Sequence, residues 1–200
     1  KIVRSRIEAE ARLLTQEQSA VVERIVHATA DPEYAKLTFI TKDAVSAGIT
    51  AVENGNPIVT DVEMVKAGLT RDRLKEFSIK VLTYIDDPRS SEAARIQGTT
   101  RAAAAMSVAA SEGIDGCIIA IGNAPTAATQ IAKLVNEGKV KPSVIVATPV
   151  GFVGAAKAKE EVSRLRTPHI IVSGEKGGSS AAAAAVNAFL ALASDKKKLV

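Results

Sequence analysis

Apolar residues in the second half of the chain come in short unbroken runs rather than in alternation with polar ones. "GCIIAIG" (116–122), "PSVIVAT" (142–148) and "PHIIVSG" (168–174) are of this kind. Strands read this way when both faces are covered, as in a parallel sheet. "PIVT" (57–60) and "SIKVLTYI" (78–85) add two more, for five predicted strands. Between strands the period changes to that of a helix. "PTAATQIAKLVNEG" places Ile131, Leu134 and Val135 on one face and stops at Gly138, and "GAAKAKEEVSRLR" follows the next strand. This alternation predicts an α/β doubly wound domain.

The N-terminal third is helical by the same test. Residues 2–14 and 16–29 read as two helices, the second opened by "TQEQ", a capping box with Thr15 as cap and Gln18 returning the bond. A further helix, capped by Thr41, runs to Asn54 and ends at Gly55. With no internal repeat and no linker, residues 1–200 read as one domain.

Composition narrows the function classes. The chain is 46% hydrophobic but only 3% aromatic, with no Trp, so its core is built from Ala, Val, Ile and Leu. A net charge of +4 suits an anionic ligand, although the tail "SDKKKLV" alone carries three of the lysines. Lys and Arg are not clustered with aromatics, which argues against nucleic acid. Cys117 is the single cysteine, so an internal disulfide and a cysteine-rich metal site are excluded, and "GCIIAI" makes it a small core residue. The longest apolar run, Ala181 to Ala193, is interrupted by Asn187 and falls short of a membrane span. With no signal peptide in view, a cytoplasmic protein is expected.

If the five strands are parallel, their carboxyl ends lead into "TDVEMV", "DDPRSSEA", "GNAPTA", "TPVGFVGA" and "GEKGGSSA". Ligands of open α/β sheets bind at that edge. In "GNAPTA", Gly122 allows close approach, Asn123 can cap, and Pro125 suits a first helical turn, whose free N–H groups would face an anion. "GGSSA" (177–181) repeats the arrangement, with Ser179 and Ser180 as caps or donors. Two well-capped helices would explain the same residues. No G-x-G-x-x-G and no P-loop is present, so a nucleotide is weakly supported and a carboxylate is the better anion.

Two histidines are available. His169 opens the last strand, at the end opposite this edge, and reads as structural. His27 sits near the end of a helix and off its apolar stripe of Val22, Ile25, Val26 and Thr29. The helix C-terminus and Glu23 one turn back both favour a protonated ring, which suits a general acid. An exposed histidine paired with Glu23 is the plainer alternative. No Ser lies in a nucleophile elbow, and no metal-ligand spacing occurs.

Taken together, "IVHATAD" (25–31), "VTDVEMVKAGLT" (59–70), "GTTRAAAAM" (98–106), "AIGNAPTA" (120–127), "PVGFVGAAKAKE" (149–160) and "GGSSAAAAAVNA" (177–188) resemble the precorrin-8X methylmutases, with their cobalt-precorrin-8 counterparts. "GNAPTA" followed by "PVGFVGAA" at this distance is the most specific part. The resemblance implies a flavodoxin-like three-layer α/β fold with a five-stranded, mainly parallel sheet and extra N-terminal helices. It also implies a homodimer with its site near the subunit interface, and no cofactor or metal. The implied reaction is an isomerisation in corrin biosynthesis: a 1,5-sigmatropic methyl shift on a tetrapyrrole that carries many carboxylates. A non-catalytic corrinoid or tetrapyrrole carrier is the alternative. Carried over residue by residue, His27 matches the family's active-site histidine and Arg101 a substrate-binding arginine. The substrate-binding set expected around them is Thr100, Gly122, Asn123, Ala124, Thr126, Gly151, Gly177, Gly178 and Ser179. The sequence departs from the family where a first-helix Ser contacts substrate: the match falls near Lys1, and Ser5 takes its place only with a shift. Nothing in the residues separates a cobalt-free from a cobalt-bearing substrate.

Overall fold

The structure is a computed structural model that describes residues 2–198. It opens with helices α1 (Ile2–Arg6), α2 (Glu8–Ala11), α3 (Gln16–Thr29) and α4 (Tyr34–Leu37). Next come β1 (Thr38–Ile40), α5 (Ala44–Glu53), β2 (Ile58–Thr60), α6 (Glu63–Ala67), α7 (Arg71–Glu76) and β3 (Val81–Thr83). After α8 (Pro88–Gln97) and α9 (Arg101–Ser111) the chain alternates strictly: β4 (Ile118–Ile121), α10 (Pro125–Asn136), β5 (Val144–Ala147), α11 (Ala155–Ser163), β6 (His169–Val172) and α12 (Ser179–Lys197).

The sheet runs β1-β6-β5-β4-β2-β3. Strands β2 to β6 are parallel to their neighbours, and β1 lies antiparallel on the outer edge of β6. Among the parallel strands alone the spatial order, in chain sequence, is second, first, third, fourth, fifth, which is the flavodoxin-like winding. The five predicted strands are all present; the sixth, β1, is a correction to the five-stranded expectation. It is three residues long and its Phe39 is exposed, so no apolar run marked it.

The unbroken apolar runs now have their explanation. Ile118 and Ala120 of β4 enter the core beneath α3, α5 and α12, while Ile119 and Ile121 enter the core beneath α9, α10 and α11. Val144 and Val146 of β5 divide from Ile145 and Ala147 in the same way. Helix α12 is the centre of its layer, packed on α3 and α5. Its alanines permit this close approach. A Cβ at Gly48 would lie 2.6 Å from the Phe189 ring, and one at Gly68 2.8 Å from the Ala183 Cβ. The Ala-rich helix is therefore buried within its own chain.

The capping box at Thr15 and Gln18 forms as expected. Two other helix predictions need correction. Residues 2–14 do not make one helix: the chain breaks at Ile7, which turns into the core. Thr41 does not cap α5; Asp43 holds the cap position, with no side-chain bond, and the Thr41 side chain is used elsewhere. Its hydroxyl instead donates to the His169 carbonyl at 3.2 Å and accepts from the His169 N–H at 2.8 Å. Among the described residues, no helix is long and apolar enough to cross a membrane.

Candidate active site

In this winding the chain reverses direction across the sheet between β2 and β4, and their carboxyl ends frame the crevice where such folds bind ligands. Here a side chain fills it. Asp61, fully buried at the end of β2, accepts from the amides of Gly122 at 3.0 Å, Asn123 at 2.8 Å and Ala124 at 2.7 Å. Burial pushes its carboxyl above the ordinary value, against the pull of these three bonds. The amides expected to face a ligand anion at "GNAPTA" thus already hold an internal one. The N–H groups of Gly122, Asn123 and Ala124 are therefore not free, which corrects that part of the expectation. Asn123 does not cap either: Ala124 holds the cap position of α10, with no side-chain bond. Gly122 is required for packing, because a Cβ there would lie 2.6 Å from the Ser179 Cα.

The second helix start behaves differently. Gly177 must be glycine because a Cβ would run into the Thr148 carbonyl, and its amide donates to the Tyr34 hydroxyl. Gly178, at φ 121°, donates to the Thr148 carbonyl at 2.7 Å. These two predicted substrate ligands are engaged by the protein. Beyond them, the amides of Ser179, Ser180 and Ala181 have no hydrogen-bond partner among the described residues, so the first turn of the long helix α12 keeps unpaired donors at the positive end of its dipole. Ser179 is buried; Ser180 is the hydroxyl that reaches a cavity.

That cavity, about 330 Å³, is bordered by Arg24, His27, Gly68, Ser180 and Asn187. On its other side His27 borders a second hollow of about 540 Å³, with Arg6, Val26 and Pro32. His27 is exposed in the last turn of α3, off the buried stripe as predicted. Its expected pairing with Glu23 does not form. Glu23 lies 3.8 Å from Arg4 instead. Arg24 and Arg6 bring positive charge to both hollows. Ser5 does not face them, since its hydroxyl donates to the Ile2 carbonyl at 2.8 Å, and Lys1 lies outside the described residues.

Arg101 stands in the opposite layer, at the first position of α9, with its guanidinium half exposed and 3.9 Å from Asp86. Thr100 caps α9 through the Ala103 amide and lies 2.6 Å from the Thr126 hydroxyl, joining the starts of α9 and α10. The two hollows beside His27 take in neither Arg101 nor Thr100. Gly151 sits at φ 136° and donates to the Glu175 carbonyl at 3.0 Å, tying the loop after β5 to the loop after β6. Between Gly151 and Gly154 the chain exposes Phe152 and Val153, by 88% and 90%.

Sequence reasoning missed several groups at this edge. Lys176 donates to Asp31 at 2.6 Å and to Glu33, and it holds the Asp31 carboxyl below the usual range. Lys159 is fully buried on α11 and donates to the Lys176 carbonyl at 2.7 Å; burial pushes its ammonium down to about 8. Asn187 accepts from the Thr70 amide and hydroxyl and donates to the Gly68 carbonyl. Every one of these partners is more than a dozen residues away, so no local motif announces it. Cys117 is buried as expected, its thiol pushed up to about 12 by burial. Among the described residues no group of three His, Cys, Asp or Glu side chains is placed to hold a metal ion.

Fold and edge together define a flavodoxin-like α/β protein whose winding crevice is closed by its own carboxylate. Its open groups lie instead on the flanking helix starts. The chain belongs to the precorrin-8X methylmutase family, whose model, described as CbiC: Precorrin-8X methylmutase, matches residues 1–192. It is 42% identical over 197 residues to the cobalt-precorrin-8 methylmutase of Methanothermobacter thermautotrophicus, covering 98% of this chain and 91% of that protein. To the precorrin-8X methylmutase of a Sinorhizobium species it is 39% identical over 184 residues, covering 91% and 87%. The crystal structure of precorrin-8x methyl mutase from Thermus thermophilus superposes with a TM-score of 0.85 at 35% identity, over 96% of this chain and 97% of that one.

Proposed function

We propose that this protein is a methylmutase acting on precorrin-8X or its cobalt chelate, moving a methyl group between adjacent ring carbons by a 1,5-sigmatropic shift to the corrin skeleton. Membership of the family carries the activity; a non-catalytic carrier is not favoured. The shift needs no nucleophile and no net loss of atoms: one carbon–carbon bond breaks as another forms, and the ring's double bonds move with it. What it asks of a protein is a proton that polarises the π-system and a surface that fixes one geometry.

The observation that supports a role for this site is the position of His27 beside the open first turn of α12. A carboxylate of the substrate bound at Ser179 to Ala181 brings the macrocycle against the imidazole. Arg101, nearly free of its Asp86 neighbour, holds a second carboxylate from the other layer. The hollows at His27 are small and shallow for a tetrapyrrole, and we take the active form to be a homodimer whose second copy completes the walls.

The test is turnover of both candidate substrates, with product structure checked by mass and NMR. A positioned acid contributes typically ~100- to 10,000-fold. His27→Ala should fold normally, still bind the corrin product, and lose most of its turnover. Wild-type turnover in His27→Ala would remove the acid role and leave binding and orientation alone. Bound colour without rearranged product from the wild type would favour the carrier.

A further inference from the structure

Four side chains, those of Asp31, Glu33, Tyr34 and Lys159, meet two consecutive residues, Lys176 and Gly177, of the loop between β6 and α12. Lys176 reaches across to the segment that follows His27, donating to Asp31 Oδ2 at 2.6 Å and Glu33 Oε2 at 2.5 Å. Tyr34, three residues beyond Asp31, grips the next residue of the loop: its hydroxyl accepts from the Gly177 N–H at 3.1 Å and donates to the Gly177 carbonyl at 2.8 Å. From behind, buried Lys159 of α11 donates to the Lys176 carbonyl at 2.7 Å. The Lys176 ammonium also lies 5.9 Å from the centre of the Tyr34 ring, so the ties are neighbours.

Their placement matters more than their strength. Helix α3 ends in a left-handed residue, Ala30 at φ 54°, directly before Asp31. The last turn, which carries His27, therefore has no helical continuation to hold it. Packing of Val22, Ile25 and Val26 on the core fixes the helix, and the ties act on the segment that leaves it. On the loop side, Gly177 immediately precedes the glycine that opens α12 and its free amides. The ties join the proposed proton donor to the proposed anion site.

We propose that Lys176 and Tyr34 are positioning residues, a clamp that sets the distance between His27 and the first turn of α12. The inference rests on His27 being the acid. Both charged partners of Lys176 are partly exposed, so the clamp adds little to global stability. Misplacement of a reacting group by about 1 Å can nevertheless slow chemistry on the order of 100-fold. The two effects separate in experiment.

The full-length variants Lys176→Met, Lys176→Arg and Tyr34→Phe would be compared with wild type at saturating substrate. In Lys176→Met, kcat should fall about 10- to 100-fold, with KM and thermal midpoint close to wild type. Lys176→Arg should restore most of the kcat, and Tyr34→Phe should fall in the same direction. Wild-type kcat should decline as salt screens the clamp, and that of Lys176→Met should not. Amide exchange supplies a reading independent of turnover: it should quicken in 28–34 and 174–181 in Lys176→Met. Unchanged exchange there would mean there is no clamp, and quickened exchange with wild-type kcat would mean that it positions nothing. A midpoint that falls together with kcat, without rescue by arginine, would make Lys176 merely structural. Any of these three results overturns the proposal. Failure of the underlying reading shows separately, as undiminished turnover in His27→Ala.

Discussion

Asp61 and His169 show how much a residue's role depends on what folding brings to it. Asp61 sits in "VTDVEM", where the sequence offers only a polar loop residue; its three amide partners lie some sixty positions further on. No periodicity or spacing could have named them. His169 was legible as structural because it opens a strand at the end remote from the ligand edge. It is fully buried, its Nδ1 lies 2.9 Å from the Thr167 carbonyl, and its Nε2 has no partner. With Nδ1 donating, the neutral ring fits and the imidazolium leaves a buried donor unpaired. Burial accordingly pulls its pKa below the ordinary 6.5. The unfolded chain therefore takes up a proton near pH 6.5 that the folded chain refuses. The resulting stability is present above that pH and is lost as pH falls through the lowered, folded value. His169→Phe keeps a ring beside Phe39, 5.9 Å away, and carries no titrating nitrogen. Melting followed from pH 7 downwards should show a loss in the wild type below about 6.5 that is absent in the variant. Parallel curves would mean that His169 titrates alike in both states.

At the level of elements, period and punctuation carried far. Unbroken apolar runs gave three strands and shorter β-type runs two more, and an i, i+3, i+4 stripe ending at glycine gave α10. What they could not give was the occupant of each helix start. "GNAPTA" and "GGSSA" look alike as strings, yet one start is closed by Asp61 and the other is open. β1 and the true partner of Thr41 were hidden for a related reason, since both are defined by contact with β6 far along the chain. The start of α9 can be tested directly. Arg101 carries a cation whose only ion-pair neighbour among the described residues is 3.9 Å away. A charged hydrogen bond to a substrate carboxylate is worth roughly 1.5–3 kcal/mol, or about 10- to 150-fold in affinity. Titration of the corrin product into Arg101→Ala should show a weakening in that range, and raised salt should weaken the wild type. Equal affinity in variant and wild type would return Arg101 to the solvated surface.

For the whole molecule, the argument for a second copy has changed its footing. The Ala-rich run Ala181 to Ala193 is α12, whose alanines are taken up by packing within its own chain. The better reason is that one chain leaves the edge unfinished. Phe152 and Val153 stand 88% and 90% exposed between two glycines of positive φ, on the loop that Gly151 ties to the clamp-bearing loop after β6. Met64, 71% exposed, rises from α6, the short helix after β2. Burying such side chains is worth ~1.5–3 kcal/mol each, and a second chain seated over this edge would bury them while walling in a large ligand. Light scattering at working concentration should therefore find a species of twice the 20.8 kDa chain mass. Specific activity should fall on dilution as that species dissociates. Phe152→Asp, which plants a charge at the most exposed aromatic, should shift the equilibrium toward the single chain and lower turnover with it. If the wild type scatters as a 20.8 kDa species throughout and keeps its activity on dilution, one chain suffices, and the shallow hollows beside His27 must hold the substrate unaided.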